Sequence, residues 1–217
     1  MILFFRAKSQ IFSAPFTFVS KYLFHNEEKL KGAVTGGVVV PTGRVSSPDI
    51  VNDLPFGGGC WSLLGSLILD QPLGHGFMFN EYVKYTYNLP SQRDIRLIEG
   101  DEKIAVEKDQ VLVDSGNKLE PGLSLQYESR NGLQGGIAYN YLNKSGDRYK
   151  VNSTLVKESL EKNTEESSHQ VVFKSGYSTL PSFKSKKFPV PLLVSLEYSK
   201  LVSGLNTPVK DLVTVDL

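Results

Sequence analysis

The sequence predicts an all-β fold: an antiparallel up-and-down meander of about ten long strands, forming a transmembrane β-barrel or an incomplete one. Three observations predict it. Apolar side chains recur at every second position, the period of a strand with one apolar and one polar face. Several alternating runs reach roughly 11–14 residues, against a mode of about 5–6 in soluble sheets. Tyr and Phe gather near the ends of those runs, among them Phe12, Tyr22, Phe24, Phe77, Tyr87, Tyr141 and Tyr198. Such rings favour a membrane–water boundary, where an apolar body and a polar tip are both accommodated.

The runs follow one another along the chain. In residues 11–24, Phe12, Ala14, Phe16, Phe18, Tyr22 and Phe24 oppose Ser13, Thr17 and Lys21. Strands are also expected at 31–41, 61–71 and 148–157. In residues 76–89, Phe77, Phe79, Val83, Tyr85, Tyr87 and Leu89 oppose Met78, Asn80, Tyr82, Lys84, Thr86 and Asn88. Glu81 breaks that apolar face, which predicts either a bulge or an interface there. Leu123, Leu125 and Tyr127 alternate with Ser124, Gln126 and Glu128. The turn Ser129-Arg130-Asn131-Gly132 then leads into Leu133, Ile137, Tyr139 and Tyr141. Its Asn-Gly step offers the positive φ angles of a tight antiparallel hairpin. Val171, Phe173 and Tyr177 repeat the pattern, as do Val190, Leu192, Val194, Leu196 and Tyr198, and finally Val209, Val213, Val215 and Leu217. Turns are expected at 26–29, 72–76, 144–147, 161–166 and 203–207, where turn-forming residues cluster. The one helix candidate, 153–162, reads equally well as strand plus turn.

The organisation is an N-terminal stub at 1–10 and a single β-barrel domain at 11–217, with long loops at 42–60 and 91–120. The second loop carries alternating charges and room for a hairpin of its own.

Composition narrows the function. The chain has 217 residues with 24 basic and 23 acidic side chains, a formal net charge of +1. A balance so near zero argues against nucleic acid as a partner, which needs a clustered surplus of Lys and Arg. With 40% hydrophobic residues the chain is too apolar to be disordered. No run approaches the roughly 20 apolar residues of a membrane-spanning helix. A strand of about 11 residues, however, extends roughly 36 Å and, tilted near 45°, covers the ~25 Å apolar band of an outer-membrane barrel. A soluble barrel or sandwich with its apolar face inward gives much the same alternation.

Chemistry-bearing constellations are scarce, and no enzyme is expected. The single cysteine, Cys60, follows Gly57-Gly58-Gly59 without a metal-ligand partner and reads as a small residue at a loop–strand junction. His25, His75 and His169 fall in or beside different turns. There is no Gly-x-Ser-x-Gly elbow and no Gly-x-x-x-x-Gly-Lys phosphate loop. Asp49 and Asp53 stand four apart in a loop, a common arrangement, so no metal or other cofactor is expected.

The segment Gly36-Gly37-Val38-Val39-Val40-Pro41-Thr42-Gly43 resembles the strand ending in Pro-Thr-Gly of bacterial outer-membrane channel proteins, the group of long-chain fatty-acid and aromatic-hydrocarbon transporters that includes the phenol meta-pathway type. Tyr82-Val83-Lys84-Tyr85-Thr86-Tyr87, and the stretch from Phe188-Pro189-Val190-Pro191-Leu192 through Gly204-Leu205-Asn206, resemble that group's later strands. The resemblance implies passive uptake of small or hydrophobic solutes in the outer membrane, with outer-membrane lipid as the surroundings. Such proteins carry an export signal and finish on an aromatic residue. Here Met1-Ile2-Leu3-Phe4-Phe5-Arg6 is apolar before it is basic, and the chain stops at Val215-Asp216-Leu217, so a fragment is expected, without an N-terminal plug. For transport, the residues that matter face the lumen: Lys84, Gln126, Asn140, Lys174 and Glu197. Lys84 and Glu197 are expected to pair or to set a local field across the channel.

Overall fold

The computed structural model describes residues 2–4, 15–43, 45, 57–97, 107–208 and 211–216. Most of the stub at 1–10 lies outside the described residues, as do Phe12, Ser13 and Ala14, Asp49 and Asp53, and Val209 and Leu217. In chain order the elements are β1 (Ile2–Phe4), β2 (Phe16–Asn26), β3 (Lys31–Val40), β4 (Ser62–Gly74), β5 (Phe77–Asn88), β6 (Ser91–Leu97), β7 (Glu107–Asp114), β8 (Lys118–Glu128), β9 (Leu133–Lys144), β10 (Arg148–Lys150), α1 (Thr154–Glu161), β11 (Glu166–Ser178), α2 (Leu180–Lys184), β12 (Leu193–Leu205) and β13 (Leu212–Asp216).

Ten strands form one sheet in the order β1-β2-β3-β4-β5-β8-β9-β11-β12-β13, and each strand runs antiparallel to its neighbours. The fold is an all-β antiparallel meander. Among the described residues, β1 and β13 stand at the two edges and do not pair with each other. The remaining three strands make a small separate sheet, β10-β7-β6.

Cross-strand register keeps the two faces chemically distinct over the whole sheet. Thr35, Ser66, Lys84 and Glu120 form one continuous row. Gln126, Gly136, Lys174, Glu197 and Thr214 form another. One residue along each of the same strands runs the opposite row: Phe79, Leu125, Ile137, Phe173, Tyr198 and Val213. A slip of one residue in any pair would swap the faces, so this continuity holds the register.

The apolar row is open to the surroundings. Phe18 is 54% exposed, Phe173 48% and Leu196 47%. Among the described residues the buried apolar side chains are Ala33, Cys60, Val111, Val113, Val156 and Val172, none of them aromatic. Among the described residues there is no dry centre built from the aromatic rings. Aliphatic Leu67, Val83, Leu123 and Ile137 occupy the middle of the exposed face, with Phe77, Tyr127 and Tyr177 toward one end and Trp61, Tyr87 and Tyr141 toward the other. Phe77 and Tyr127 are in ring contact at 4.8 Å.

Because neighbours are antiparallel, the connections alternate between two ends. At one end lie residues 27–30, 75–76, 129–132 and the segment 179–192 that contains α2. At the other lie 41–61, 89–117, 145–165 and 206–211, the second and third carrying β6, β7, β10 and α1. The expected hairpin inside 91–120 is therefore present as β6 and β7, although Lys118, Leu119 and Glu120 belong to β8 rather than to the loop.

Several local expectations are corrected. Glu81 sits in unbroken register between Leu69 and Leu123, so no bulge relieves it; the nearby shift falls between Pro72 and Gly74. At 129–132 only Gly132 takes a positive φ, +91°, and its N–H donates to the Ser129 carbonyl (2.9 Å), so Asn131 keeps an ordinary conformation. The strand expected over 148–157 ends at Lys150, and α1 takes its place. Ser153 Oγ accepts from the Val156 N–H at 3.5 Å, and helical spacing puts Val156 and Leu160 together on the covered face. Val190 and Leu192 precede β12 instead of forming part of it, because α2 and Thr179 close the preceding loop. Thr179 Oγ1 donates to the Val190 carbonyl (2.9 Å) and accepts from the Leu192 N–H (2.7 Å). His169 lies within β11, not in a turn.

Candidate functional site

The polar face has the features of a site. Hollows on it are lined by side chains from consecutive strands, so the sheet curls about this face and leaves the apolar one convex. Gln126, Asn140, Lys174 and Glu197, four of the five residues expected to face a lumen, line one hollow of about 300 Å³ with Asn80 and Tyr82. Lys84 lines a second hollow of about 450 Å³, nearer the end that carries the small sheet.

Expected pairing and observed pairing differ. Lys84 and Glu197 do not meet. Lys84 Nζ lies 2.6 Å from Glu120 Oε2, its direct cross-strand neighbour, and Lys174 Nζ lies 2.8 Å from Glu197 Oε2, also directly opposite. Three strands, β8, β9 and β11, separate β5 from β12, whereas a directly opposed pair needs only the pleat. Both pairs keep substantial solvent contact, so each contributes only about 0–1 kcal/mol to stability. Their role on this face is to place charge.

A chain of hydrogen bonds that ends on the Asp70 carboxylate runs across β4, β5 and β8 on the same face. Asn80 Nδ2 donates to Asp70 Oδ1 (2.7 Å), Ser124 Oγ donates to Asn80 Oδ1 (3.2 Å), and Gln126 Nε2 donates to Ser124 Oγ (3.3 Å). Thr35 and Ser66 share a further hydroxyl contact. Tyr82 reaches across β8 to donate to Asn140 Oδ1 at 3.1 Å. It can do so because Gly122 lies beneath its ring: a Cβ there would fall 2.4 Å from Tyr82 Cε1. The sequence places these residues on one face but gives no sign of Asp70, Tyr82 or Glu120 as partners.

The small sheet and α1 form a cap tied onto this end. Val111 and Val113 of β7 are each 1% exposed, at alternate positions on its covered face. Asn88, at the end of β5, accepts from Ser62 Oγ (2.7 Å), donates through its side chain to the Gly116 carbonyl (2.7 Å), and donates its backbone N–H to Asn117 Oδ1 (2.9 Å). Asp147 Oδ1 accepts from both Lys144 Nζ (2.6 Å) and the Gly116 N–H (2.7 Å). The Tyr149 N–H donates to Glu161 Oε1 at 2.9 Å, which ties β10 to α1. Burial, with the Asp147 and Glu161 carboxylates, pushes the Tyr149 hydroxyl above its usual range against the opposing influence of Arg93.

The histidines stay apart from these groups. His25 lies 3.7 Å from Glu27, His75 occupies the β4–β5 turn at φ +53°, and His169 Nδ1 lies 2.6 Å from Tyr139 Oη on the apolar face. Cys60 is buried with Ser62 Oγ at 3.9 Å. Among the described residues no group of three or more His, Cys, Asp or Glu is arranged to hold a metal. Comparison with protein-family models and with curated proteins gives no match.

Proposed function

We propose that this chain is an outer-membrane β-barrel channel or transporter for passive uptake of small or hydrophobic solutes, with outer-membrane lipid against its apolar face. The observation that carries the reading is the pairing of a convex, exposed apolar face with a concave polar one. In water an exposed sheet of Phe, Tyr, Leu and Val has no favourable partner; against acyl chains the same surface is matched. Two further features support it. Aliphatic residues lie between aromatic ones along the exposed face, as at a bilayer's core and boundaries. The connections are short turns at three of the four positions of one end and long segments at three of the four positions of the other, an asymmetry typical of outer-membrane barrels.

In this reading the five inward residues Lys84, Gln126, Asn140, Lys174 and Glu197 wet the path, and the two ion pairs set its local field. The alternatives are a soluble β-barrel binding an apolar ligand and a non-transporting structural membrane protein. The first needs Phe77, Phe79, Tyr85 and Leu192 buried together, whereas Phe77 is 42%, Tyr85 46% and Leu192 52% exposed. The second shares the fold and differs only in flux. Liposomes containing the refolded chain are expected to swell in an isosmotic solution of a small sugar faster than protein-free liposomes. Swelling no faster than the control defeats the transport role and leaves the structural one.

A further inference from the structure

The hollow beneath the cap contains more cations than the fold neutralises. Lys84, Arg93, Lys118 and Lys144 line it, together with the carboxylates of Glu120 and Asp147. Both carboxylates are already engaged, Glu120 with Lys84 and Asp147 with Lys144, each at 2.6 Å. Arg93 turns its guanidinium toward neutral acceptors: Nε donates to Ser91 Oγ (3.3 Å), and Nη2 to the Gly58 carbonyl and Ser115 Oγ (2.9 Å). Lys118 stands directly opposite Lys144 in the β8–β9 register. Like charges opposed across an antiparallel pair are unfavourable, and this pair lies in a partly enclosed volume where charges are screened less than at an open surface. Neither Lys118 nor Arg93 has a carboxylate partner among the described residues.

We propose that this hollow binds a small oxyanion, of the phosphate or carboxylate kind, between Lys118 and Arg93. The anion supplies the negative charge that the surrounding strands lack. Arg93 offers the N–H groups of its remaining nitrogen, Nη1, and Lys118 a second positive charge on the lining of the same hollow. Val39 and Leu142, which also line the hollow, limit water around the charges and strengthen their attraction for an anion. As a step in solute passage the site rests on the channel reading; as a binding site it stands without it. It would give the mouth a preference for anions over cations of equal size.

Isothermal titration of inorganic phosphate into the detergent-solubilised full chain tests the site. Saturable binding is expected, weakened about tenfold or more in Lys118→Gln, because one of two uncompensated charges is lost. Among the described residues Lys118 makes no side-chain hydrogen bond or ion pair, so that variant keeps the fold. Glu120→Gln should act in the opposite direction and tighten binding, since it frees Lys84. The site is refuted by an absence of saturable binding, by equal affinity in Lys118→Gln, or by weaker binding in Glu120→Gln. A chain that binds phosphate but leaves liposomes unswollen keeps the site and loses the channel. One that swells them without binding phosphate does the reverse.

Discussion

At the scale of single residues, the polar face is organised by which side chain stands directly opposite which. Tyr82 shows how specific this is. Its hydroxyl spans β8 to reach Asn140 because position 122 has no Cβ. A double-mutant cycle between Tyr82→Phe and Asn140→Ala is expected to give a coupling of roughly 0.5–1.5 kcal/mol, toward the lower end because the bond is exposed. In a Gly122→Ala background the ring must shift, and the coupling should fall to zero. Chemical denaturation of the four variants in each background measures both values, and a coupling that survives Gly122→Ala would break the link between glycine and ring. The face of each such residue was legible in the sequence, since Lys84, Gln126, Asn140, Lys174 and Glu197 follow directly from period two. Their partners were not. Choosing Glu120 for Lys84, and Lys174 for Glu197, depends on register between strands, which no single strand's period contains.

At the scale of elements, legibility followed length. β5, β8, β9 and β11 are long enough for alternation to declare itself, and their centres fall close to where the pattern puts them, whereas β12 lies further along the chain than its run of alternation. The short cap elements are different. Three residues of β10 cannot establish a period, and the eight of α1 gain their helical form from the Ser153 cap and the burial of Val156. The cap also carries a pH response. The Tyr149 hydroxyl titrates above its ordinary value of about 10 because burial and the neighbouring carboxylates disfavour the phenolate. A raised pKa in the folded state means that the neutral phenol binds its proton more tightly when folded. The associated stability is complete below the unfolded value and is lost as pH rises through the folded one. Tyr149→Phe should therefore flatten part of the alkaline fall in stability and leave neutral pH little changed. Denaturation midpoints of the two proteins compared from pH 8 to 11 give the answer, and parallel curves would contradict it.

At the scale of the whole molecule, the proposed function depends on whether the apolar face meets lipid. Leu125 and Gln126 are neighbours on β8, point to opposite faces, have the cross-strand partners Phe79 and Ile137 against Met78 and Gly136, and share the same backbone environment. They are therefore a matched pair for testing orientation. In a bilayer, Arg at position 125 would carry its charge into acyl chains, at a cost of about 2–4 kcal/mol near the midplane. Arg at position 126 would point into the polar hollow, beside Ser124 and the Lys174–Glu197 pair, where water and a carboxylate are available. The same substitutions in a soluble β protein closed around its apolar face would rank the same way, with 126 outward and tolerant and 125 buried and destructive by loss of packing. The two cases therefore separate by solvent and not by position. In the membrane reading, Leu125→Arg loses stability in lipid bilayers but much less in a detergent micelle, whose surface deforms around the charge, while Gln126→Arg is near neutral in both. Reversible unfolding of both variants in lipid vesicles and in micelles is the measurement. A penalty at 126 that exceeds the one at 125, or a penalty at 125 equal in the two media, would place the apolar face somewhere other than lipid.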